Sequence, residues 1–302
     1  MLSKSYRDLE RRRYFVWVCV GLIAIIVATL ATLVFRQQQG SRRAEQLIAD
    51  FQVEQVGDIG STGVLRILPL MEYQTSDPQL RSEVGLSYLV DTDQHRILCD
   101  VGYNASGEAP SPLQRNIATL GVELGGIDMV FISHNHPDHV GGYHWQRMDT
   151  FSLGTEQTPF PNPRTQLIAP DLMSYPGLFA VYTDKAMQLG EGLGSTGIGT
   201  TGTMPRQLAL GWVDEQQALV VNVVGLGGVI IVGCGHQKLS NLLRRYDEAF
   251  REPLYGIVGG CTFQYPKAES SLARWTCNAI LPQAQGYSTR FPWRKLKRKS
   301  PC

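Results

Sequence analysis

The sequence predicts a layered mixed α/β domain carried on one N-terminal membrane helix. Three observations predict it: an uncharged apolar run from Tyr14 to Phe35, two β-hairpins written as paired apolar runs around polar or glycine-rich turns, and amphipathic segments between them. The chain has 302 residues, 43% of them hydrophobic, which is ample for a large core, and its 31 glycines follow no period. Collagen-like and disordered classes are thereby excluded.

The formal net charge of +1 conceals an uneven distribution. Residues 1–13 carry Lys4, Arg7, Arg11, Arg12 and Arg13 against Asp8 and Glu10, and residues 288–302 carry six basic residues and no acid. The body between them is acidic, so no nucleic-acid partner is expected. Tyr14–Phe35 is 22 residues without a charge. As a helix it is about 33 Å long, enough for a hydrocarbon core of roughly 30 Å. A cleaved signal peptide needs a shorter apolar region and a small-x-small site, whereas this run ends VFRQQQGSRR. Tyr14 and Trp17 suit an interfacial belt. Five basic residues precede the span, while Arg36, Arg42 and Arg43 follow it. That bias places the N-terminus in the cytoplasm and the body on the extracytoplasmic side.

The expected organisation is a basic tail (1–13), an anchor in the bilayer (14–35), a polar stalk (36–60) with one helix near Arg43–Val53, a domain (61–287) and a basic tail (288–302). The last tail, RFPWRKLKRKSPC, is a candidate contact for anionic lipid head groups. Within the domain, VLRILPL reads as a strand, GLSYLV and RILCD as a hairpin around DTDQH, and Leu113, Ile117, Leu120 and Leu124 as one helix face. IDMVFIS is a buried strand; residues 186–206, rich in Gly and Thr, read as a long loop over one face. ALVVNVV and VIIVG form a second hairpin around GLGG, followed by an amphipathic helix, SNLLRRYDEAF, and a last strand, YGIVGG. With Cys19 in the span, Cys99, Cys234, Cys261, Cys277 and Cys302 remain, an odd number that dictates no pairing.

The chemistry concentrates in Ser133-His134-Asn135-His136-Pro137-Asp138-His139-Val140-Gly141-Gly142, which holds three of the six histidines. If the chain stays extended past the strand, His134 and His136 point to one side. Pro137 then turns it, so that Asp138 and His139 face the same cavity, and Gly141-Gly142 allows close backbone passage. Imidazoles with a carboxylate suit Zn²⁺, or Mn²⁺ or Fe, as one ion or two. His134 and His136 are assigned to one metal, and Asp138 and His139 to a second, with Asp138 placed to orient or deprotonate the attacking water.

At these residues the chain resembles the metallo-β-lactamase fold superfamily, whose HxHxDH signature it carries complete. Asp100 and Gly102 match the family's early D-x-G. Longer segments, among them VIIVGCGHQKLSNLL, resemble the branch of 7,8-dihydropterin-6-yl-methyl-4-(β-D-ribofuranosyl)aminobenzene-5′-phosphate synthases. The resemblance implies an αββα sandwich. In Gly233-Cys234-Gly235-His236 it implies His236 as third ligand of the first metal, and Cys234 where relatives place a bridging Asp or a thiolate. It also exposes departures: Ala169-Pro170 stands for the family's His-Pro, and Thr262 for a final His. His144, Cys261 and Asp171 are weaker substitutes, and Arg206, Asp214 and Glu215 resemble cleft positions. The implied function is metal-dependent hydrolysis of a small-molecule ester, amide or phosphoester; a pterin-type synthase and a non-catalytic binding module with a degenerate metal site are the alternatives.

Overall fold

Both hairpins expected from the sequence form, and each seeds one of two facing β-sheets. The computed structural model describes residues 4–50, 53–201, 214–237 and 239–260. Helix α1 (Lys4–Asp50) leads, followed by β1 (Arg66–Met71), β2 (Ser87–Asp91), β3 (Arg96–Cys99), α2 (Pro112–Thr119), β4 (Met129–Phe131), α3 (Pro137–Val140) and α4 (Tyr143–Arg147). Then come β5 (Gln166–Ala169), β6 (Phe179–Tyr182), β7 (Met187–Gly190), β8 (Leu193–Ser195), β9 (Gly199–Thr201), β10 (Asp214–Gln216), β11 (Ala218–Val223), β12 (Gly227–Val232), α5 (Leu239–Ala249) and β13 (Leu254–Gly259).

One sheet runs β1-β2-β3-β4-β5-β6 and the other β13-β12-β11-β8-β7, with β9 and β10 as a separate antiparallel pair. Strict alternation along the strands sorts the core into three slabs. Ile97, Cys99, Met129 and Phe131 meet Leu219, Val221, Val229 and Ile231 between the sheets. The intervening residues point outward: Leu98 and Val130 pack with Leu113 and Ile117 of α2, and Val220 and Ile230 with Leu242, Tyr246 and Ala249 of α5. Helices therefore cover the outer face of each sheet, giving the αββα layering. It also explains why these strands read as continuous apolar runs, since both of their faces are buried. Helix α2 is set by its N-terminus: Ser111 and Gln114 form a reciprocal capping box, and Pro112 supplies a first helical residue that needs no N–H partner.

Two expectations change. The Gly/Thr-rich stretch 186–206 is not a loop over its described part; it supplies β7, β8 and β9. Its glycines serve close packing: a Cβ on Gly194 would lie 2.8 Å from the Phe250 ring. The helix expected near Arg43–Val53 is instead the end of α1, one helix of 47 residues that continues past the apolar run to Asp50. The connecting residues are mostly good helix formers without proline. This helix is long and apolar enough to cross a membrane, and the body buries none of its apolar window.

Candidate metal centre

The histidine motif leaves β4 in a tight turn, which corrects the extended path expected for it. His136 N donates to His134 O at 3.0 Å, and the two rings still meet on one side, their centroids 4.4 Å apart. Pro137 opens α3 as its first residue, and Gly141 ends it in the left-handed conformation at φ 88°. A Cβ on Gly141 would lie 2.1 Å from Ser152 O, so the close approach that aims Asp138 and His139 requires glycine.

The opposite wall is the end of β12, where Gly233, Cys234, Gly235 and His236 face the motif. Two sets of donor atoms result, each lying within 4.8 Å of one another: His134, His136 and His236, and His134, His139 and Cys234. His134 belongs to both. His139 Nε2 lies 2.9 Å from Cys234 Sγ and 3.6 Å from Asp138 Oδ2, and Cys234 Sγ lies 3.7 Å from Asp138 Oδ2.

Asp100 and Ser133 organise the ring nitrogens that face away from this space. Asp100 stands just past β3 in a left-handed conformation, φ 54°. It accepts the Ser133 amide and hydroxyl, each at 2.7 Å, and His139 Nδ1 at 2.7 Å. The Ser133 hydroxyl has one proton, which it gives to Asp100; its oxygen therefore accepts from His134 Nδ1, 2.9 Å away. His134 thus carries its proton on Nδ1, leaving a bare Nε2 that is buried and makes no hydrogen bond. Burial first, and then the neighbouring imidazoles, hold His134 well below its ordinary 6.5, keeping it neutral. Burial pushes Asp138 up, but His139, His136 and His236 more than offset this and hold it below its ordinary 3.8. An orphaned imidazole nitrogen, three further imidazoles, a thiol and an ionised carboxylate make a donor set that fits zinc or a related first-row ion.

The weaker candidates separate. His144 is exposed and packs on Trp145. Glu215 is raised by burial and then by the charge of Asp171, which brings these two acids together rather than into the cluster. Ala169 is buried at the end of β5, where its carbonyl accepts from Thr183. Arg206, Cys261, Thr262, Cys277, Cys302 and the basic tail lie outside the described residues. Sequence reasoning assigned no role to Ser133 or Asp100; the D-x-G after a buried strand was the available signal.

Residues 81–145 match the family model described as Metallo-beta-lactamase superfamily, so Asp100 and the whole histidine motif fall within matched sequence. A curated relative, 7,8-dihydropterin-6-methyl-4-(beta-D-ribofuranosyl)-aminobenzene-5'-phosphate synthase of Methanocaldococcus jannaschii, is 31% identical over 86 residues, covering 28% of this chain and 29% of the relative. The match thus spans under a third of that protein. A solved metal-dependent hydrolase of the beta-lactamase superfamily overlays 66% of this chain and 77% of its own, with a TM-score of 0.43 and 22% identity. A metallo-beta-lactamase fold protein from Bacillus subtilis overlays 56% and 61%, with a TM-score of 0.34 and 14% identity.

Proposed function

We propose, from the metallo-beta-lactamase superfamily domain that this chain carries, that the protein is a membrane-anchored metal-dependent hydrolase of a small molecule. The observation that supports this reading most is the meeting of two donor sets at His134, whose Nε2 is left bare by the Ser133–Asp100 pairing behind it. His134, His136 and His236 would hold one ion, and His139, Cys234 and Asp138 a second. An ion of the zinc type bound there lowers the pKa of water toward 7 and supplies hydroxide at neutral pH. Asp138, held ionised by the imidazoles around it, orients the water and accepts its proton. Asp100 positions both rings from behind. Residues 14–35 hold the domain, 61–287, at a bilayer, and the charge bias favours its extracytoplasmic side.

Elemental analysis of the full chain in detergent tests the metal centre, with His134→Ala/His136→Ala as control. Two equivalents in the wild type and a loss of metal in the control support the reading. A folded wild type that takes up no added zinc removes it and leaves a binding module. A pterin-type synthase is the second reading, favoured by the 86-residue match. A reporter fusion at the C-terminus separates the two: an extracytoplasmic signal opposes a role in soluble cofactor synthesis.

A further inference from the structure

Beside the metal centre, at the foot of α5, a second polar cluster is buried that the hydrolytic reading does not use. Gln237 follows the ligand candidate His236 and is 1% exposed, yet neither its amide oxygen nor its amide nitrogen makes a hydrogen bond. Gln216, at the end of β10, is fully buried; its oxygen accepts Gln237 N at 3.4 Å, and its Nε2 makes no hydrogen bond. Arg245, on the second turn of α5, is 3% exposed and donates to Gly197 O at 3.4 Å and to Ile198 O. The three converge on β9. A Cβ on Gly199 would lie 2.4 Å from both Arg245 Nη1 and Gln237 Oε1, and 3.3 Å from Gln216 O.

The neighbouring Gln217 shows how a buried glutamine serves the fold alone. Its Nε2 donates to Ile132 O at 2.9 Å, and its oxygen accepts the hydroxyls of Thr183 and Ser195. Gln237 and Gln216 instead keep three amide atoms unused, two donors and one acceptor, an unfavourable arrangement in a dry interior. Burial lowers Arg245 only to about 10, so it stays charged at neutral pH. A guanidinium with spare amide donors is complementary to a group with several acceptor oxygens and negative charge.

We propose that Arg245, Gln237 and Gln216 form an oxyanion subsite, one residue from His236, that takes the carboxylate or phosphate group of the substrate. As a substrate subsite this rests on the hydrolase reading; as a binding site it does not. The molecule hydrolysed is then an anionic one, with its charged group held beside β9 and its scissile bond toward the histidines.

The test is calorimetric titration of the full chain in detergent, stripped of metal, with inorganic phosphate and with acetate. Saturable binding of at least one ion is expected, weakened about tenfold or more in Gln237→Leu and in Arg245→Lys, and retained in His134→Ala. Phosphate alone assigns a phosphoester, and acetate alone a carboxylate. If the arginine variant does not fold, Gln216→Leu replaces it. Folded wild type that binds neither ion, or Gln237→Leu that binds as tightly as wild type, overturns the subsite. Binding lost in His134→Ala overturns it as well, because the ion then sits on the imidazoles. Metal content is measured separately, so failure of the metal centre is distinguishable from failure here.

Discussion

Asp100 Oδ2 stands 2.7 Å from His139 Nδ1, and the same oxygen receives the Ser133 hydroxyl that holds His134. One carboxylate thus fixes two rings that share a donor set, His134 belonging to the other set as well. Asp100→Asn removes the charge and puts a donor where two donors already point. Metal affinity is expected to fall about 10–100-fold, as for other partners behind metal-bound histidines. Competition with a chromophoric chelator measures it, and a wild-type affinity with an unaltered circular dichroism spectrum would contradict this arrangement.

His134 belongs to both donor sets, whereas His236 belongs to one and Cys234 to the other. His134 Nε2 can hold one ion only, so His134→Ala and His236→Ala are each expected to lose the ion shared by His134, His136 and His236, while Cys234→Ser loses the other and retains about one equivalent. With Co²⁺ in place of zinc, the thiolate charge-transfer band should survive in His236→Ala and vanish in Cys234→Ser. A band that persists without Cys234 would place the sulfur ligand elsewhere.

Gly233 backs the Asp100–Ser133 pair. A Cβ there would lie 2.3 Å from Ser133 Oγ and 3.2 Å from Asp100 Oδ2. Gly233→Ala is expected to displace the hydroxyl, weakening metal binding while costing about 1–3 kcal/mol of stability through overpacking. Denaturation of the metal-free protein and chelator competition read the two effects apart, and unchanged metal affinity is the adverse result.

The metal-free protein should be most stable near pH 6.5, because two buried imidazoles act in opposite senses. Burial opposes charge on His139, but Cys234, Asp100 and Asp138 outweigh it and hold the ring well above 6.5. As pH falls toward 6.5, folded His139 takes its proton before the unfolded chain does, and stability rises to its full value. His134 lies well below 6.5 when folded. Below 6.5 the unfolded chain therefore binds a proton that folded His134 refuses, and stability falls. Thermal midpoints in chelator between pH 8 and 5 test this, with the acid-side decline reduced in His134→Gln. A midpoint that keeps rising below pH 6.5 in wild type would refute it.

The layering was legible in the sequence because its signals are local. Ile97-Leu98-Cys99 and Val229-Ile230-Ile231 are apolar on consecutive residues, which fits strands buried on both faces. The stretch 186–206 was misread because Gly194 and Gly199 suggest a loop when seen alone. They are strand residues where a phenyl ring and a guanidinium approach the backbone. Pro137 was expected to turn the chain, but the sequence did not say that a turn already closes between His134 and His136 or that the chain continues from Pro137 as a helix.

Composition and spacing alone determined the apolar helix, the continuously apolar strands and the two clusters of potential ligands, since each depends on residues within a few positions of one another. Tertiary structure decided which of those residues meet. His139 and Cys234 are 95 positions apart and Asp100 and Ser133 are 33 apart, yet each pair is in hydrogen-bond contact. Gln237 and Gln216 are read as a candidate site only because three of their four amide atoms end up buried without hydrogen-bond partners. Local patterns specify the strands and helices; pairing of β3 with β4, and packing of their sheet against the sheet that holds β12, bring the strand ends together, and the site is assembled there.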